Sequence, residues 1–365
     1  MLDHEKYMRR CIELSRQGEG RTSPNPLVGA VVVNDNGDII GEGFHAAYGG
    51  AHAEVVALDK AGVAAAKQTL YVNLEPCCHH GKTPPCTDRV IASGVKRVVF
   101  GMLDPNPKVA GGGQKLLEDA GIETISNILV KECRYVNRGF LKWQEKWLPW
   151  LCLKIAATVD GRIADRHKHS RWISGKEARR HTQELRNAYD CVMVGSGTVI
   201  IDDPELIVHD LPDARNPMRA IIDTRLLTGP NRQVCQHDDF LTWIFASQEA
   251  IDKHSSSFPK SVSLMATPVQ EGHVDLNAVL NLLGADGIRK VLCEGGAGLG
   301  AALLEQKLVD EIQWFIAPKL LVDGQAKSAL TGSKNVNLPD AVNFISHTYK
   351  EVGPDLLIHA LIHEP

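Results

Sequence analysis

The stretch that decides the fold of this sequence runs from His52 to Cys86. It opens with His52-Ala53-Glu54 and closes with Pro76-Cys77-Cys78-His79-His80-Gly81-Lys82-Thr83-Pro84-Pro85-Cys86. His52, Cys77 and Cys86 can supply three zinc ligands and leave a fourth position for water, which is what a catalytic zinc site requires. Zinc lowers the pKa of such a water towards neutrality. Glu54 lies two residues after the histidine, close enough to carry the water's proton without binding the metal, so we predict that it is the catalytic residue.

His-x-Glu followed by Pro-Cys is typical of zinc deaminases that act on nucleosides and nucleobases. Their second cysteine usually follows as Cys-x-x-Cys, whereas here eight residues separate Cys77 from Cys86. A closed, structural zinc site is an alternative, for which Cys78, His79 or His80 could supply the fourth ligand. Such a site has no use for a glutamate beside the ligand histidine, so the catalytic interpretation is favoured.

Length and composition limit the class of protein. The 365 residues suffice for two domains of ordinary size. A formal charge of -4 and a pI near 6.4 give no basic surface for nucleic acid, which weighs against a DNA or tRNA deaminase. Nine cysteines, with no apolar signal segment at the start, indicate a reducing cytoplasm. No apolar run reaches the roughly 20 residues of a membrane helix, so no membrane partner is expected.

Strands and helices alternate in the first half. Val28–Val33 and Ile39–Gly43 are predicted strands, and a helix is expected from His52 to about Ala61. The strand Thr69–Leu74 precedes the cysteine-rich stretch, and the helix Thr87–Ser93 follows it. This alternation predicts a three-layer α/β/α sheet.

The domain boundary is expected where a helix over Lys131–Lys146 ends before Pro149, because proline cannot continue a helix. This gives one domain over residues 1–146 and another over 147–365. In the second, Ser174 and Glu177 are spaced as a capping box at the start of a helix that ends at Ala188.

A glycine run follows a predicted strand at Lys290–Glu294. Its glycines include Gly296, Gly298 and Gly300 and lead into a helix, an arrangement that lets a backbone approach a phosphate. The alternate spacing differs from G-x-G-x-x-G, and no acidic residue lies at the required offset, so a Rossmann dinucleotide domain is not expected.

Further motifs extend over both halves. They are Pro24-Asn25-Pro26-Leu27-Val28-Gly29, Gly41-x-Gly43-x-His45, Asp160-Gly161-Arg162, Trp172-Ile173, Gly195-Ser196-Gly197-Thr198, Asp202-Asp203-Pro204 and Glu294-Gly295-Gly296. With these motifs, essentially the whole chain resembles the bifunctional deaminase/reductase family of riboflavin biosynthesis. The resemblance implies an α/β protein: an N-terminal cytidine-deaminase-like three-layer α/β/α domain, followed by a dihydrofolate-reductase-like α/β domain.

The resemblance also implies the reactions and the cofactors. The first domain would use zinc to deaminate a diaminopyrimidinone ribosyl phosphate, and the second would use NADPH to reduce the ribosyl chain to a ribityl chain. The implied partner is thus a small phosphorylated pyrimidine. We also expect a homo-oligomer, either a dimer or a tetramer.

Binding residues are implied position by position. The NADPH contacts would be Ala156, Trp172, Thr198, Asp202, Thr224, Gly296, Ala297, Gly298, Leu299, Gly300, Ala301 and Ala302. The substrate contacts would be Ser170, Arg186, Leu206, His209 and Glu294 in the second domain, and Asn25 and Lys82 in the first. A guanidinium such as that of Arg186 can bind a phosphate through two parallel hydrogen bonds. As a further hypothesis, His45 would join Asn25 at the pyrimidine, and His79 would face the phosphate.

One position departs from the family pattern. The family tends to carry an arginine where this chain has His209, and an imidazole is a weaker phosphate ligand near pH 7. Two rival functions follow from what the motifs leave open. One is a different zinc deaminase with an unrelated binding module, and the other is a chain whose second half has become a non-catalytic regulator.

Overall fold

The chain divides into two compact units, Met1–Trp147 together with Pro365, and Leu148–Glu364. The computed structural model describes residues 2–79, 84–106, 110–334 and 336–365. In this part of the chain, no helix combines the length and the apolar character that a membrane span requires.

The first unit is a five-stranded sheet with helices on both faces. Its strands are β1 (Gly29–Val33), β2 (Ile39–Phe44), β3 (Thr69–Val72), β4 (Arg97–Phe100) and β5 (Glu123–Ile125). Its helices are α1 (His4–Ser15), α2 (Ala53–Ala61), α3 (Cys86–Ser93), α4 (Gly112–Asp119), α5 (Val130–Val136) and α6 (Arg138–Lys146). The strand order is β2-β1-β3-β4-β5, in which β1 is antiparallel to both neighbours and the rest of the sheet is parallel.

Alternating side chains of this sheet divide the core into two layers. Val32, Leu70 and Val98 pack with helices α2, α3 and α4 on one face. Val31 and Tyr71 pack with α1, α5 and α6 on the other. Because successive strand residues point to opposite faces, one short apolar strand supplies both layers. The three-layer α/β/α arrangement expected from the sequence is confirmed.

The helix expected over 131–146 is two helices, separated at Asn137. The buried amide of Asn137 accepts a hydrogen bond from the N–H of Leu27 (2.8 Å) and donates one to the carbonyl of Leu27 (3.0 Å). Asn73 accepts from the N–H of Gly29 (2.8 Å) and also donates to the carbonyl of Leu27 (2.9 Å). These two amides fix the backbone that follows Asn25. The break between α5 and α6 therefore places Asn137 where it holds the segment next to this predicted substrate contact.

The second unit is built on a nine-stranded sheet of order β11-β10-β9-β8-β14-β6-β15-β18-β17. Its strands are β6 (Trp150–Thr158), β8 (Cys191–Gly195), β9 (Met218–Ile222), β10 (Thr242–Ala246), β11 (Val262–Ala266), β14 (Lys290–Cys293), β15 (Glu311–Ala317), β17 (Ser346–Val352) and β18 (Asp355–Leu361). Two small ladders pair β7 (Arg162–Ala164) with β16 (Lys327–Ser328), and β12 (Val269–Gln270) with β13 (His273–Val274). The helices are α7 (Lys176–Ala188), α8 (Ser196–Asp202), α9 (Gln248–His254), α10 (Leu276–Ala285) and α11 (Ala297–Glu305).

Seven strands of this sheet, from β11 to β15, are parallel, and only β18 and β17 are antiparallel additions. Apolar clusters fill both faces. Parallel strands place their carboxyl ends along one edge, so the loops that follow β6, β8 and β14 meet there. The α/β class expected for this half is confirmed.

The capping box expected at α7 is wrong. The N-cap residue is Gly175, and no side chain caps the helix. The N–H of Gly175 instead donates to the carboxylate of Asp355 (2.7 Å), which comes from the distant β17–β18 turn. The carbonyl of Ser174 accepts from Arg179 (2.7 Å). A tertiary contact thus replaces the local one.

Candidate active sites

Three donor atoms converge in the first unit. His52 Nδ1 lies 3.0 Å from Cys86 Sγ and 3.6 Å from Cys77 Sγ. All three atoms lie within 4.8 Å of one another. Ligands at about 2.0 to 2.3 Å from one tetrahedral zinc ion are roughly 3.5 Å apart, so this spacing fits such an ion. The structure thus brings together the three residues that the sequence predicts as ligands.

Local structure positions each of these donors. His52 is the N-cap residue of α2, and Glu54 lies in the first turn of that helix. Cys77 follows β3 after a short loop, and Cys86 is the first residue of α3. The N–H of Cys86 donates to Cys77 Sγ (3.3 Å). Two helix N-termini therefore lie at the site, and their partial positive charge stabilises thiolates and carboxylates.

The two thiols compete for one proton. A hydrogen bond between the two cysteine side chains, together with His52, lowers the pKa of Cys77 to about 4 although burial opposes this. The same hydrogen bond, together with burial, raises the pKa of Cys86. Without a cation, only one sulfur can readily carry a negative charge, whereas a divalent cation stabilises both thiolates. One imidazole and two thiolates are a donor set that suits zinc.

Glu54 is buried beside these donors, with 3% of its surface exposed. Burial raises the pKa of its carboxyl group, the charge of Cys77 raises it further, and His52 lowers it. A raised pKa suits a carboxylate that must take up a proton and give it back near neutral pH.

Asn25 and His45 lie next to the ligand histidine. The rings of His45 and His52 are 5.4 Å apart between centroids. His45 Nδ1 lies 3.0 Å from the carbonyl oxygen of Ala51, and His45 Nε2 lies 3.1 Å from Asn25 Nδ2. A carbonyl oxygen can only accept, so Nδ1 carries the proton and Nε2 accepts from Asn25. Burial lowers the pKa of His45, which favours this neutral form.

The remaining polar residues of the first motif are only partly described. His79 Nδ1 is buried and has no hydrogen-bond partner within the described part of the chain. Lys82, predicted to contact the substrate, and His80 lie outside the described residues.

Glu75 is a site-forming residue that sequence reasoning missed. Its buried carboxylate accepts hydrogen bonds from the N–H groups of Asp104 (3.1 Å), Gly111 (3.0 Å) and Gln114 (3.0 Å). This carboxylate holds the start of α4 beneath the loop that carries the cysteines. A Cβ on Gly113 would lie 2.1 Å from the carbonyl oxygen of Pro76, so only glycine fits there. Gly111 is the N-cap residue of α4, so residues 111–113 form the packed start of a helix.

A cavity of about 900 Å³ opens in the second unit at the carboxyl ends of β6, β8 and β14. Six of the predicted NADPH contacts line it: Ala156, Trp172, Thr198, Asp202, Gly296 and Gly300. All five predicted substrate contacts of this half also line it: Ser170, Arg186, Leu206, His209 and Glu294. The other predicted NADPH contacts lie outside its lining: Thr224, Ala297, Gly298, Leu299, Ala301 and Ala302. The hydroxyl of Thr224 accepts from the N–H of Val274 (3.0 Å).

The glycine run forms a cradle at one edge of the cavity. A Cβ on Gly295 would lie 2.6 Å from the Cα of Val194, so the loop can pass β8 only as glycine. Gly296 has a φ of 49° and precedes α11. A Cβ on Gly197 or Gly298 would meet no atom within 4 Å, which leaves open space above the loop. Backbone that is bare of side chains at a helix N-terminus suits the phosphates of a dinucleotide.

Arg186 and Glu294 form a bidentate ion pair in the cavity wall. Arg186 donates from Nε to Glu294 Oε1 (2.6 Å) and from Nη2 to Oε2 (3.1 Å), and its Nη1 donates to the carbonyl of Ile207 (3.0 Å). Burial alone would raise the pKa of Glu294, but the charge and hydrogen bonds of Arg186 outweigh it and the pKa is lowered. The two parallel bonds that the sequence assigns to a phosphate are made here with a carboxylate.

Lys154 is a second residue that sequence reasoning missed. It lies on β6, lines the same cavity and interacts electrostatically with Glu294. Burial lowers the pKa of its ammonium group; Glu294 opposes this shift and Arg186 adds to it. The apolar run around it could have indicated it, since Lys154 is a charged residue between Leu153 and Ile155 in an otherwise apolar strand.

The cavity rim carries two further predicted contacts. The hydroxyl of Ser170 donates to Asp202 Oδ1 (2.9 Å). His209 Nε2 lies 3.1 Å from Glu205 Oε2, and the backbone N–H of His209 donates to Gln183 Oε1 (3.0 Å). The imidazole of His209, the position that differs from the family pattern, is therefore paired with a carboxylate of its own loop.

Comparison with known proteins places both halves. The profile of the RibD C-terminal domain matches residues 149–358, and that of the cytidine and deoxycytidylate deaminase zinc-binding region matches residues 1–102. The riboflavin biosynthesis protein RibD of Escherichia coli K12 is 40% identical over 98% of this chain and 99% of its own length. The chain belongs to the RibD family. The RibD of Actinobacillus pleuropneumoniae is 38% identical over 98% of this chain and 95% of its own length.

Solved structures agree with this assignment to the RibD family. Acinetobacter baumannii RibD is 34% identical and superposes with a TM-score of 0.86 over 98% of both chains. A diaminohydroxyphosphoribosylaminopyrimidine deaminase/5-amino-6-(5-phosphoribosylamino)uracil reductase from Thermotoga maritima is 35% identical, with a TM-score of 0.87 over 98% of both chains. The family and the α/β class expected from the sequence are confirmed, and so are zinc and NADPH as the cofactors of the two domains.

Proposed function

We propose that this chain is a bifunctional enzyme of riboflavin biosynthesis that deaminates a diaminopyrimidinone ribosyl phosphate and then reduces its ribosyl chain with NADPH. The single observation that carries the proposal is the pairing of two distinct sites in one RibD-family chain. The first is a His52-Cys77-Cys86 cluster with a buried Glu54, and the second is the cavity lined by Glu294, Arg186 and Lys154.

In the deaminase site, His52, Cys77 and Cys86 would hold the metal, and zinc when bound would supply an activated water at neutral pH. The carboxylate of Glu54 would take up a proton and deliver it to the departing amino group, first as a base and then as an acid. Asn25 donates to His45, which leaves its amide oxygen free to accept from an amino group of the pyrimidine. Lys82 and His79 would bind the phosphate end.

In the reductase site, the loop at 296–302 and Ala156, Trp172, Thr198, Asp202 and Thr224 bind NADPH, which supplies hydride when bound. Opening the ribosyl ring requires a proton on the ring oxygen, and Lys154 is the half-buried acid in the cavity lining that can deliver it. Glu294 stabilises that ammonium and binds the sugar hydroxyls. Arg186 keeps Glu294 ionised and oriented, and Ser170, Leu206 and His209 complete the substrate contacts.

The two activities follow the two parts of the chain, with residues 1–146 as the deaminase domain and 147–365 as the reductase domain. We also place the enzyme in the cytoplasm, since the nine cysteines are all free thiols. Self-association into a dimer or tetramer is supported by β17, a sheet edge whose residues 346–351 are exposed and which follows an exposed apolar segment with Phe344 and Ile345. Light scattering coupled to gel filtration tests this; a monomer at micromolar concentration would contradict it.

The test of function is product identification. Zinc-loaded protein is given the diaminopyrimidinone ribosyl phosphate with NADPH, and the products are assigned by mass spectrometry. The proposal expects the deaminated ribityl compound. A reduced product that keeps its amino group would overturn the order, and an unchanged substrate in the presence of bound zinc would overturn the substrate assignment.

A further inference from the structure

One wall of the reductase cavity is formed by residues 170–174, which lie between β7 and α7 and belong to neither element. The wall includes Trp172, whose surface is 63% exposed. A ring with so much exposed surface has little packing to hold it in place. Contacts from other parts of the fold therefore decide where this ring lies.

Contacts from α7 and α8 hold the two ends of the wall. The guanidinium of Arg179 lies 4.4 Å from the centre of the Trp172 ring and donates to the carbonyl of Ser174 (2.7 Å). The guanidinium of Arg171 lies 5.8 Å from the same ring centre and donates to the carbonyl of Asp202 (2.7 Å). These bonds engage the wall at residues 171 and 174, on either side of the backbone at 172 and 173.

Lys319 engages the middle of the wall. Its ammonium group donates one hydrogen bond to the carbonyl of Trp172 (2.8 Å) and another to the carbonyl of Ile173 (2.8 Å). A charged donor makes such bonds stronger than neutral ones. Among the described residues Lys319 is not part of the cavity lining, so it holds the wall from outside the cavity.

The backbone that carries Lys319 is itself fixed. Lys319 follows the end of β15 by two residues, and its carbonyl accepts from the N–H of Val159 (2.9 Å). The carboxylate of Asp160 accepts from the N–H groups of Leu321 (3.2 Å) and Val322 (2.9 Å). The turn after β6 thus holds the loop after β15, and the ammonium group reaches the wall from a rigid base.

We propose that Lys319 is a positioning residue that sets the Trp172 ring for NADPH. It acts through the backbone: it fixes the carbonyls of residues 172 and 173, from which the ring projects, while Arg179 stacks against the ring. A ring that is already ordered loses less entropy when the cofactor binds. The inference rests on the NADPH contact assigned to Trp172 under the proposed function.

The first measurement needs neither cofactor nor turnover. The full-length chain is labelled with fluorotryptophan, and of the signals of its six tryptophans in fluorine NMR, the one absent from Trp172→Ala belongs to Trp172. Lys319→Met should shift or broaden that signal. Lys319→Arg keeps two N–H donors and should largely restore it.

Arg166→Met is the matched control. Arg166 donates to Asp323 on the same loop after β15, at 2.7 and 2.9 Å, so the variant also removes a cation that anchors this loop. It leaves the bonds of Lys319 in place, and the Trp172 signal should not change.

The second measurement is NADPH affinity by calorimetry. Lys319→Met should weaken binding about fivefold, as expected for the loss of an exposed, charge-assisted hydrogen bond. In the Trp172→Ala background the same substitution should cause no further loss, because its effect passes through the ring.

Three outcomes would overturn the inference. They are an unchanged Trp172 signal in Lys319→Met, an equal change of that signal in Arg166→Met, and a full further loss of NADPH affinity in the Trp172→Ala background, which would mean that Lys319 touches the cofactor itself. A changed signal with NADPH affinity unaltered in both Lys319→Met and Trp172→Ala would keep Lys319 as the anchor of the wall. It would refute instead the NADPH contact that the proposed function assigns to Trp172.

Discussion

The two candidate sites of this chain are built in opposite ways. The metal cluster gathers His52, Cys77 and Cys86 within 4.8 Å. These residues are close in sequence: His52 and Cys86 lie at the starts of helices, and Cys77 follows a strand. The reductase cavity of about 900 Å³ gathers residues from 153 to 330. The chemistry of a compact site built from one motif can be predicted from residue types and their spacing. The chemistry of a cavity built from many loops depends on pairings that only the fold reveals, such as Arg186 with Glu294.

The largest expected effect is the loss of zinc from the first site, which should leave the second site active. Cys86→Ser should abolish both zinc binding and ammonia release, because two of three ligands hold zinc poorly. NADPH oxidation with the deaminated substrate should stay within about twofold of the unaltered chain, since the reductase cavity lies in the other unit. Zinc content by mass spectrometry and ammonia release are the measurements.

Cys78→Ser is the matched control for that variant, because it removes the neighbouring thiol and should keep zinc. A Cys86→Ser protein that still deaminates, or a Cys78→Ser protein that loses its zinc, would contradict the ligand assignment.

The next effect tests the proton carrier. Glu54→Gln keeps the shape of the side chain but cannot accept a proton, so ammonia release should fall about 10²- to 10⁴-fold. Zinc content and reductase turnover should not change. Steady-state ammonia assays beside zinc analysis check this, and a variant with nearly full deaminase activity would exclude Glu54 from proton transfer.

A smaller effect tests the electrostatics of the cavity through pH. Burial lowers the pKa of Lys154 below the ordinary lysine value of 10.5. The ammonium is therefore lost, and reductase kcat falls, as pH rises through that lowered pKa. Glu294 favours the charged form, so Glu294→Gln should lower the pKa of Lys154 further and move the alkaline limb to lower pH. A pH profile of NADPH oxidation measures this; an unmoved or upward-shifted limb would remove Lys154 from the mechanism.

The smallest effect concerns His209, the position that differs from the family pattern. His209→Arg should lower the KM for the phosphorylated reductase substrate by about threefold, because a guanidinium can bind a phosphate through two parallel hydrogen bonds and an imidazole cannot. The gain is limited because Glu205 lies within reach of either side chain. Steady-state kinetics would measure it, and an unchanged KM would show that residue 209 is not a contact.

Much of the fold could be predicted from the sequence, since apolar runs such as β1, β3 and β14 lie within a residue or two of their expected bounds. The break at Asn137 and the cap at Gly175 could not, because tertiary partners, Leu27 and Asp355, determine them. The metal ligands were predictable because their chemistry is local. Glu75, Lys154 and the Arg186–Glu294 pair were not, since each depends on contacts between residues far apart in the chain.

The most direct test of the central claim, two separate chemistries in a fixed order, is to record ammonia release and NADPH oxidation together. Purified zinc-loaded protein receives the diaminopyrimidinone ribosyl phosphate and NADPH in one cuvette. Ammonia should appear first, followed by an equal amount of oxidised NADPH. Glu54→Gln should suppress both signals, and deaminated substrate should then restore NADPH oxidation alone. NADPH oxidation that precedes ammonia, or that persists at full rate in Glu54→Gln without deaminated substrate, would contradict the account.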